Sequence, residues 1–446
     1  MAMVVKNNMS AKNTLNQLDK NDKALSKSLK KVASGMKINS AADDASGYAI
    51  SERMETQIRS LDQDNSNTQN AGSLMKVAEG AVASTVDILK TLKEKVINAA
   101  NDSNSDSDRQ TIQKEVDQAI DQIDDNANAT FNGKIMLDGS KNNSVLAPGT
   151  ATHMTNESFA EGTRKITPLT DLKDRSGALL GIQDTDKITM SYVKGGKTYS
   201  KTLDVLDPVN GTLSFMQIFD WHPANDDMEL QVSSPTDGTF SYIGQDQSNA
   251  EVYTADGKEA ITFKASHAGV DAQISGLTFN VTDKDGNVKK SVNATFDNFT
   301  ESIRAQDESE DNTLTFQTGT KANQSIKVGF TDMRSVALGL KGSDGTKLDI
   351  SSQVNANAAV NVLDNAVQRV LNQQTTIGSI ESRLEYTSSN LTTASENVQS
   401  SDSVIRDADM AKEMTSYTKN NVLLQSAQAM LSQANQNSSS VLSLLK

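Results

Sequence analysis

Residues 11–36 read AKNTLNQLDKNDKALSKSLKKVASGM. Ala11, Leu15, Leu18, Leu25, Leu29, Val32 and Met36 return at alternating steps of four and three, and Asp22 is the one break in the series. That spacing lays an apolar stripe along one side of an α-helix, as in helices that pair along a seam. A helix this short cannot bury its own stripe and is marginal alone in water, so it needs a partner. The far end of the chain offers one. Residues 354–400 are helical by period, and after them Leu423, Ala427, Met430, Ala434, Asn437, Val441 and Leu444 follow the same steps. Leu15, Leu18, Leu25, Leu29 and Val32 are therefore expected to bury against Leu423, Met430, Val441 and Leu444, first within one chain and then between copies.

Inward from the N-terminal stripe, Ser40 stands three residues before Asp43, a capping-box pattern that predicts the start of a second helix. Met75, Ala78, Val82, Thr85, Leu89, Leu92 and Val96 make its seam. After a polar break at 101–106, Ile112, Val116, Ile120, Ile123 and Ala127 mark one face of a third helix. All five prolines and the single tryptophan, Trp221, fall between residues 140 and 312. Proline interrupts helices and aromatics favour sheets, so helical flanks are predicted to enclose a strand-rich insert. Strand-like alternation occurs at 187–202, 211–219, 260–264 and 277–281, with turns at 194–197 and 283–287. Asn132-Gly133 signals one hairpin, and 313–330 reads as another. The expected fold is α+β. Both termini form a long coiled-coil helical hairpin or rod with a short β-hairpin region, and a mainly-β outer domain is inserted. The expected parts are 1–40, 41–139, 140–312, 313–406 and 407–446.

Composition narrows the chemistry. The chain has no cysteine, which excludes disulfides, thiolate metal sites and cysteine nucleophiles. There is no run of about 18 apolar residues and no N-terminal apolar region of a cleaved signal, so neither membrane insertion nor ordinary signal-led secretion is expected. Net charge is −14, although residues 1–40 hold eight lysines against Asp19 and Asp22. The strongly acidic remainder argues against nucleic acid as a partner, and the lysines read as one solvated or subunit-facing side of a helix. His153, His222 and His267 lie in the insert at spacings unlike a helix-borne metal pair. Asp283-Lys-Asp-Gly-Asn287 has its glycine fourth, where a calcium loop needs it sixth, so it reads as a β-turn. The acid pairs Asp43-Asp44 and Asp124-Asp125 suit helix starts and solvated faces. No catalytic, cofactor-binding or metal-binding residue is expected.

Four stretches carry a resemblance: VASGMKINSAADDASG at 32–47, TFNGKIML at 130–137, IRDADMAKE at 405–413 and VLSLLK at 441–446. A fifth is 325–340 followed by LDISS at 348–352. Together they resemble bacterial flagellin over residues 1–139 and 313–446, and the insert lies outside the match. The resemblance implies a structural subunit whose paired termini line a filament channel, with the next helices as a rod around it. It implies a homopolymer, secreted without a cleaved signal to the extracellular flagellum through the type III export apparatus with an export chaperone. Hook-associated junction and cap proteins are its implied partners at the filament ends. A host Toll-like receptor is a further implied partner, gripping the segments 89–101 and 113–116. There Glu115 matches the family's acidic contact, while Thr91 and Lys95 stand where strongly sensed members carry Arg and Leu, and Lys93 replaces a second Arg. Two alternatives remain open at this point: a hook-filament junction protein, which shares such termini, and a flagellin whose insert is a displayed binding or enzymatic module. The insert is expected to be dispensable for polymerisation.

Overall fold

The computed structural model describes residues 8–207, 211–219, 228–233 and 241–444, with 207, 215, 219, 228–233, 438 and 441–444 described by backbone only. Trp221, His222, Pro208, Pro223 and Pro235 lie outside the described residues. In chain order the elements begin with three helices, α1 (Met9–Ser34), α2 (Ala45–Ala99) and α3 (Asp106–Ala127). The hairpin β1 (Thr130–Phe131) and β2 (Lys134–Ile135) follows. The middle holds β3 (His153–Asn156), β4 (Lys187–Lys194), β5 (Lys197–Asp204), β6 (Leu206–Asp207), β7 (Gly211–Thr212), α4 (Phe215–Phe219), β8 (Met228–Ser233) and β9 (Tyr242–Gln245). It continues through β10 (Glu251–Tyr253), β11 (Ala260–Ala265), β12 (Ile274–Thr282), α5 (Lys290–Phe296) and β13 (Thr300–Ile303). The hairpin β14 (Leu314–Gln317) and β15 (Ser325–Val328) then leads to α6 (Gln353–Arg406) and α7 (Met410–Leu444). Long helices at both ends of the chain and a β-rich middle make the fold α+β.

Local chemistry explains the boundaries. Asn8 caps α1 by accepting from the Ala11 amide, and Gly35 ends it in the left-handed region at φ 72°, donating back to Lys31 O. The predicted capping box at Ser40 and Asp43 is corrected: Asp43 accepts from Asn39 N and Ser40 Oγ in a turn, and α2 starts two residues later, beyond Asp44. A full capping box stands instead at Ser105 and Asp108, opening α3. Asn132 and Gly133 take φ 49° and 74°, as the predicted two-residue hairpin requires. The strand expected at 211–219 stops after two residues and turns into α4, because Ser214 N donates to the Gln217 side chain and starts a helical turn.

The chain divides into two compact units: 1–69 with 317–324 and 386–446, and 70–316 with 325–385. In the second unit Met75, Ala78, Val82, Thr85, Leu89, Leu92 and Val96 are all buried, together with Val116, Ile120, Ile123 and Ala127 of α3. The helical core continues into Ala358, Val362, Ala366 and Val370 of α6. The insert has its own core, in which Phe159, Phe263, Phe279, Phe296 and Phe299 meet edge-on or tilted at 5.0–5.6 Å. Two antiparallel sheets frame it, in orders β13-β3-β11-β8 and β12-β4-β5. Tyr192 and Tyr199 face each other across β4 and β5 and stack at 5.1 Å.

The insert is not a loose attachment. Asn361 and Asn365 of α6 donate to the β12 carbonyls of Leu277 and Ser275 at 3.0 and 2.8 Å. A side chain at Gly276 would meet Val362 Cγ2 at 2.7 Å, so glycine is what lets the strand lie against the helix. Arg369 of α6 holds Glu301 of β13 through Nε, donating at 2.6 Å, and Nη2, while its Nη1 donates to Ala337 O at 2.8 Å. That pair is nearly sealed from solvent.

Candidate functional site

α1 and α7 lie antiparallel, tied by Asn8 Nδ2 to Ala434 O (3.2 Å), Asn21 Nδ2 to Leu423 O (3.1 Å), Asn420 Nδ2 to Ser28 Oγ (3.0 Å) and Lys31 Nζ to Glu413 Oε1 (3.2 Å). The residues buried between them are Asn21 and Ser28 on α1 and Ala427 and Ala434 on α7. The intramolecular seam expected from the leucine spacing is therefore corrected. Leu18, Leu25 and Val32 are half-buried, whereas Leu15, Leu29, Leu423 and Met430 are 41–63% exposed. Val441 and Leu444 lie in α7, but their side chains are outside the described residues. The physical reason is size and hydrogen bonding. Alanines opposite small polar residues let the backbones approach closely enough for amide side chains to reach main-chain carbonyls, and the larger apolar residues are turned aside. An apolar count along the stripe cannot see that choice.

The receptor-facing candidates come together on neighbouring helices. Lys95 of α2 pairs with Glu115 of α3 at 2.6 Å, and Lys93 pairs with Asp364 of α6. Thr91 is exposed and its hydroxyl donates to Asp87 O at 3.0 Å. Beneath them Leu89, Leu92, Val96 and Val116 are buried. Gln113 is spent on the 348–350 segment, donating to Leu348 O and accepting from Ile350 N.

Of the remaining candidates for chemistry, His153, Asp283 and Asp124 are absorbed by structure. His153 is buried, with Nδ1 at 3.0 Å from Ala151 O, and burial pulls its pKa below the usual imidazole range. Asp283 accepts from the amides of Asp285 and Asn287 and from the Asn287 side chain, closing the turn read from the sequence and holding its own carboxyl below the usual range. Asp124 accepts from Ser335 N and Oγ at 2.7 and 2.8 Å, tying α3 to the segment before α6. Among the described residues no three His, Asp or Glu side chains gather in a metal-binding group. No helix among them is long and apolar enough to cross a membrane.

The N-terminal helical region of bacterial flagellin matches residues 5–142, and its C-terminal helical region matches residues 360–445. The chain is 32% identical over 440 residues to a flagellin of Clostridium tyrobutyricum, covering 97% of this chain and 99% of that protein. It is 29% identical over 447 residues to a flagellin of Bacillus subtilis (strain 168), covering both fully at 100%. A crystal structure of flagellar hook associated protein-3 from Legionella pneumophila is similar at 16% identity and a TM-score of 0.34, over 78% of this chain and 97% of that one. A likeness that slight carries no argument about function.

Proposed function

The chain belongs to the bacterial flagellin family and is a structural subunit of the flagellar filament, and from that premise we propose that Leu15, Leu29, Leu423 and Met430 are the apolar surface through which neighbouring copies hold one another. The observation that supports this is their exposure on two helices whose mutual interface is already occupied by Asn21, Ser28, Ala427 and Ala434. Covering each large apolar side chain contributes about 1.5–3 kcal/mol, repeated at every subunit of a polymer. Leu18, Leu25, Val32, Val441 and Leu444 complete the proposed subunit-packing seam. Leu29→Asp and Met430→Asp should leave helicity unchanged, because both positions are exposed, and should stop elongation of seeded filaments. Normal elongation by both variants would remove the assignment.

In the same reading 1–40 and 407–446 form the filament's inner core, 41–139 and 313–406 its helical rod, and 140–312 the surface insert. Export runs through the type III apparatus with a chaperone, and junction and cap proteins meet the filament at its two ends. We assign the chain no enzymatic role and no cofactor. The relatives in Clostridium tyrobutyricum and Bacillus subtilis, matched over nearly the whole of both chains, are flagellins, which favours that reading over the junction protein.

The Toll-like receptor epitope is proposed to be muted. Lys93, Lys95 and Glu115 are engaged within the molecule, and Lys does not replace the bidentate fork of Arg. A receptor reporter assay comparing the chain with its Thr91→Arg/Lys95→Leu variant tests this: the variant should signal about tenfold more strongly, one anchor being worth ~1–3 kcal/mol. Equal signalling would end the idea.

A further inference from the structure

The chain turns twice between long helices, at 35–44 from α1 to α2 and at 407–409 from α6 to α7. Both turns lie in the unit made of 1–69, 317–324 and 386–446. They are joined main chain to main chain. Lys37 N donates to Arg406 O at 2.8 Å and Ala408 N donates to Gly35 O at 2.9 Å, around a bridge of Met36 with Asp407. Lys37 Nζ adds a bond to Val404 O at 2.8 Å. Beside this joint one side chain crosses from helix to helix. Arg406, the last residue of α6, reaches the first turns of α2, where Nη1 lies 3.1 Å from Glu55, 3.5 Å from Glu52 and 3.3 Å from Ser51 Oγ. Its guanidinium sits 5.9 Å from the centre of the Tyr48 ring.

Arg406 is incompletely matched there, because its Nε is buried without a hydrogen-bond partner among the described residues. Four residues earlier on the same helix Asp402 has the complementary defect: its Oδ1 is buried and meets no donor. Residues at i and i+4 are neighbours on a helix surface, about 5–6 Å apart at Cβ, and an acid that precedes a base by four is the favourable order. An unpaired acid in the last turn of a helix also opposes the helix dipole. A buried donor and a buried acceptor each cost free energy while unmatched, and rotation of the Arg406 side chain toward Asp402 would match them. The acids that Arg406 would leave are not stranded. Glu55 is also held by Arg59 at 2.5 Å, and Glu52 accepts from the Tyr48 hydroxyl, a bond that holds the phenol above its usual range. Neither position of Arg406 strands a carboxylate of α2, which is the condition for two states of comparable free energy.

We propose that Arg406 is a two-position latch: in one position it clasps the start of α2 through Glu52 and Glu55, and in the other it is withdrawn onto Asp402 within α6. The main-chain bridge between 35–37 and 406–408 holds the two turns together in both. The latch therefore sets how firmly the first turns of α2 are held, and not whether the turns meet. It is a property of the single subunit and is independent of the filament reading above.

The test is amide hydrogen exchange over residues 48–56 in free, full-length subunits, read by peptide mass spectrometry, with circular dichroism as the check that each variant keeps its helices. Exchange there reports local opening of the first turns of α2. Arg406→Gln removes the latch and should speed that exchange about twofold to fivefold, as expected of one part-exposed ion pair. Asp402→Ala suits a helix and removes the withdrawn position, so it should slow exchange in α2 about twofold although the change lies on α6. In the Arg406→Gln background Asp402→Ala should change nothing, because the two residues act through one another. Exchange over 48–56 that is unchanged or faster in Asp402→Ala overturns the proposal. So does equal slowing with and without Arg406, which would mean that Asp402 merely repels the acids of α2.

Discussion

At the scale of single residues, two buried charges carry separate predictions. Asp297 ends α5 and accepts from Phe279 N at 2.8 Å, but burial dominates and its pKa is pushed up to about 6. An acid whose folded pKa lies above its unfolded value near 3.8 binds its proton more readily in the native state. Its stabilisation is present below pH 4 and is lost as pH rises through 6. Two units correspond to at most about 3 kcal/mol, and partial exposure reduces this to about 1–2 kcal/mol. Thermal unfolding should show Asp297→Asn gaining on the wild type between pH 5 and pH 7, and a constant difference would exclude the residue as the source. Glu301 makes the opposite case. Replacing it with Gln leaves the Arg369 guanidinium, 4% exposed, without its counter-charge, at a cost of about 3–5 kcal/mol in urea unfolding. Glu301→Leu/Arg369→Leu should cost far less, and equal losses would mean that packing, not charge, sets the effect.

At the scale of elements, the insert and the helices are more interdependent than their compositions suggest. The stripe from Met75 to Val96 could be read in advance because burial on a long helix follows a 3.6-residue period, and the hairpin at Asn132-Gly133 because few residue pairs accept two positive φ angles. Neither rule reaches Gly276, Asn361, Asn365 or Arg369. Their meaning depends on β12 and β13 arriving against α6 from 68 to 90 residues away. Excising 145–308 should therefore expose Val362, leave Arg369 without Glu301, and lower the unfolding temperature by several degrees or more, since ~1 kcal/mol shifts a domain of 150–250 residues by about 2–4 °C. If the excised chain melts at the wild-type temperature, the contacts described here contribute nothing to stability.

At the scale of the whole molecule, burial is distributed unevenly along the chain. Among the described residues the α1–α7 pair buries only Asn21, Ser28, Ala427 and Ala434, and it exposes several large apolar side chains, while α2 beyond Ala71 is sealed by a continuous core. Segments with few buried apolar contacts open at low free energy. Limited proteolysis of dilute subunits should cut within α1 and α7 before it reaches 75–96, and the same sites should be protected in filaments. Equal protection of all three regions in dilute subunits would show that the ends do not wait for neighbours.

The order of helices, the hairpins, the β-rich middle and the family were legible from spacing, turn chemistry and four motifs, because each is a local property of the chain. The partner of each face was not. Leu15 and Leu29 stand in the same apolar series as Leu18 and Leu25, yet tertiary packing turns the first two outward and places Asn21 and Ser28 at the α1–α7 contact. Helix periodicity specifies that a stripe exists. Which edge of it meets the partner depends on how closely two backbones can approach and which carbonyls need donors, and both are settled only when α7 lies beside α1.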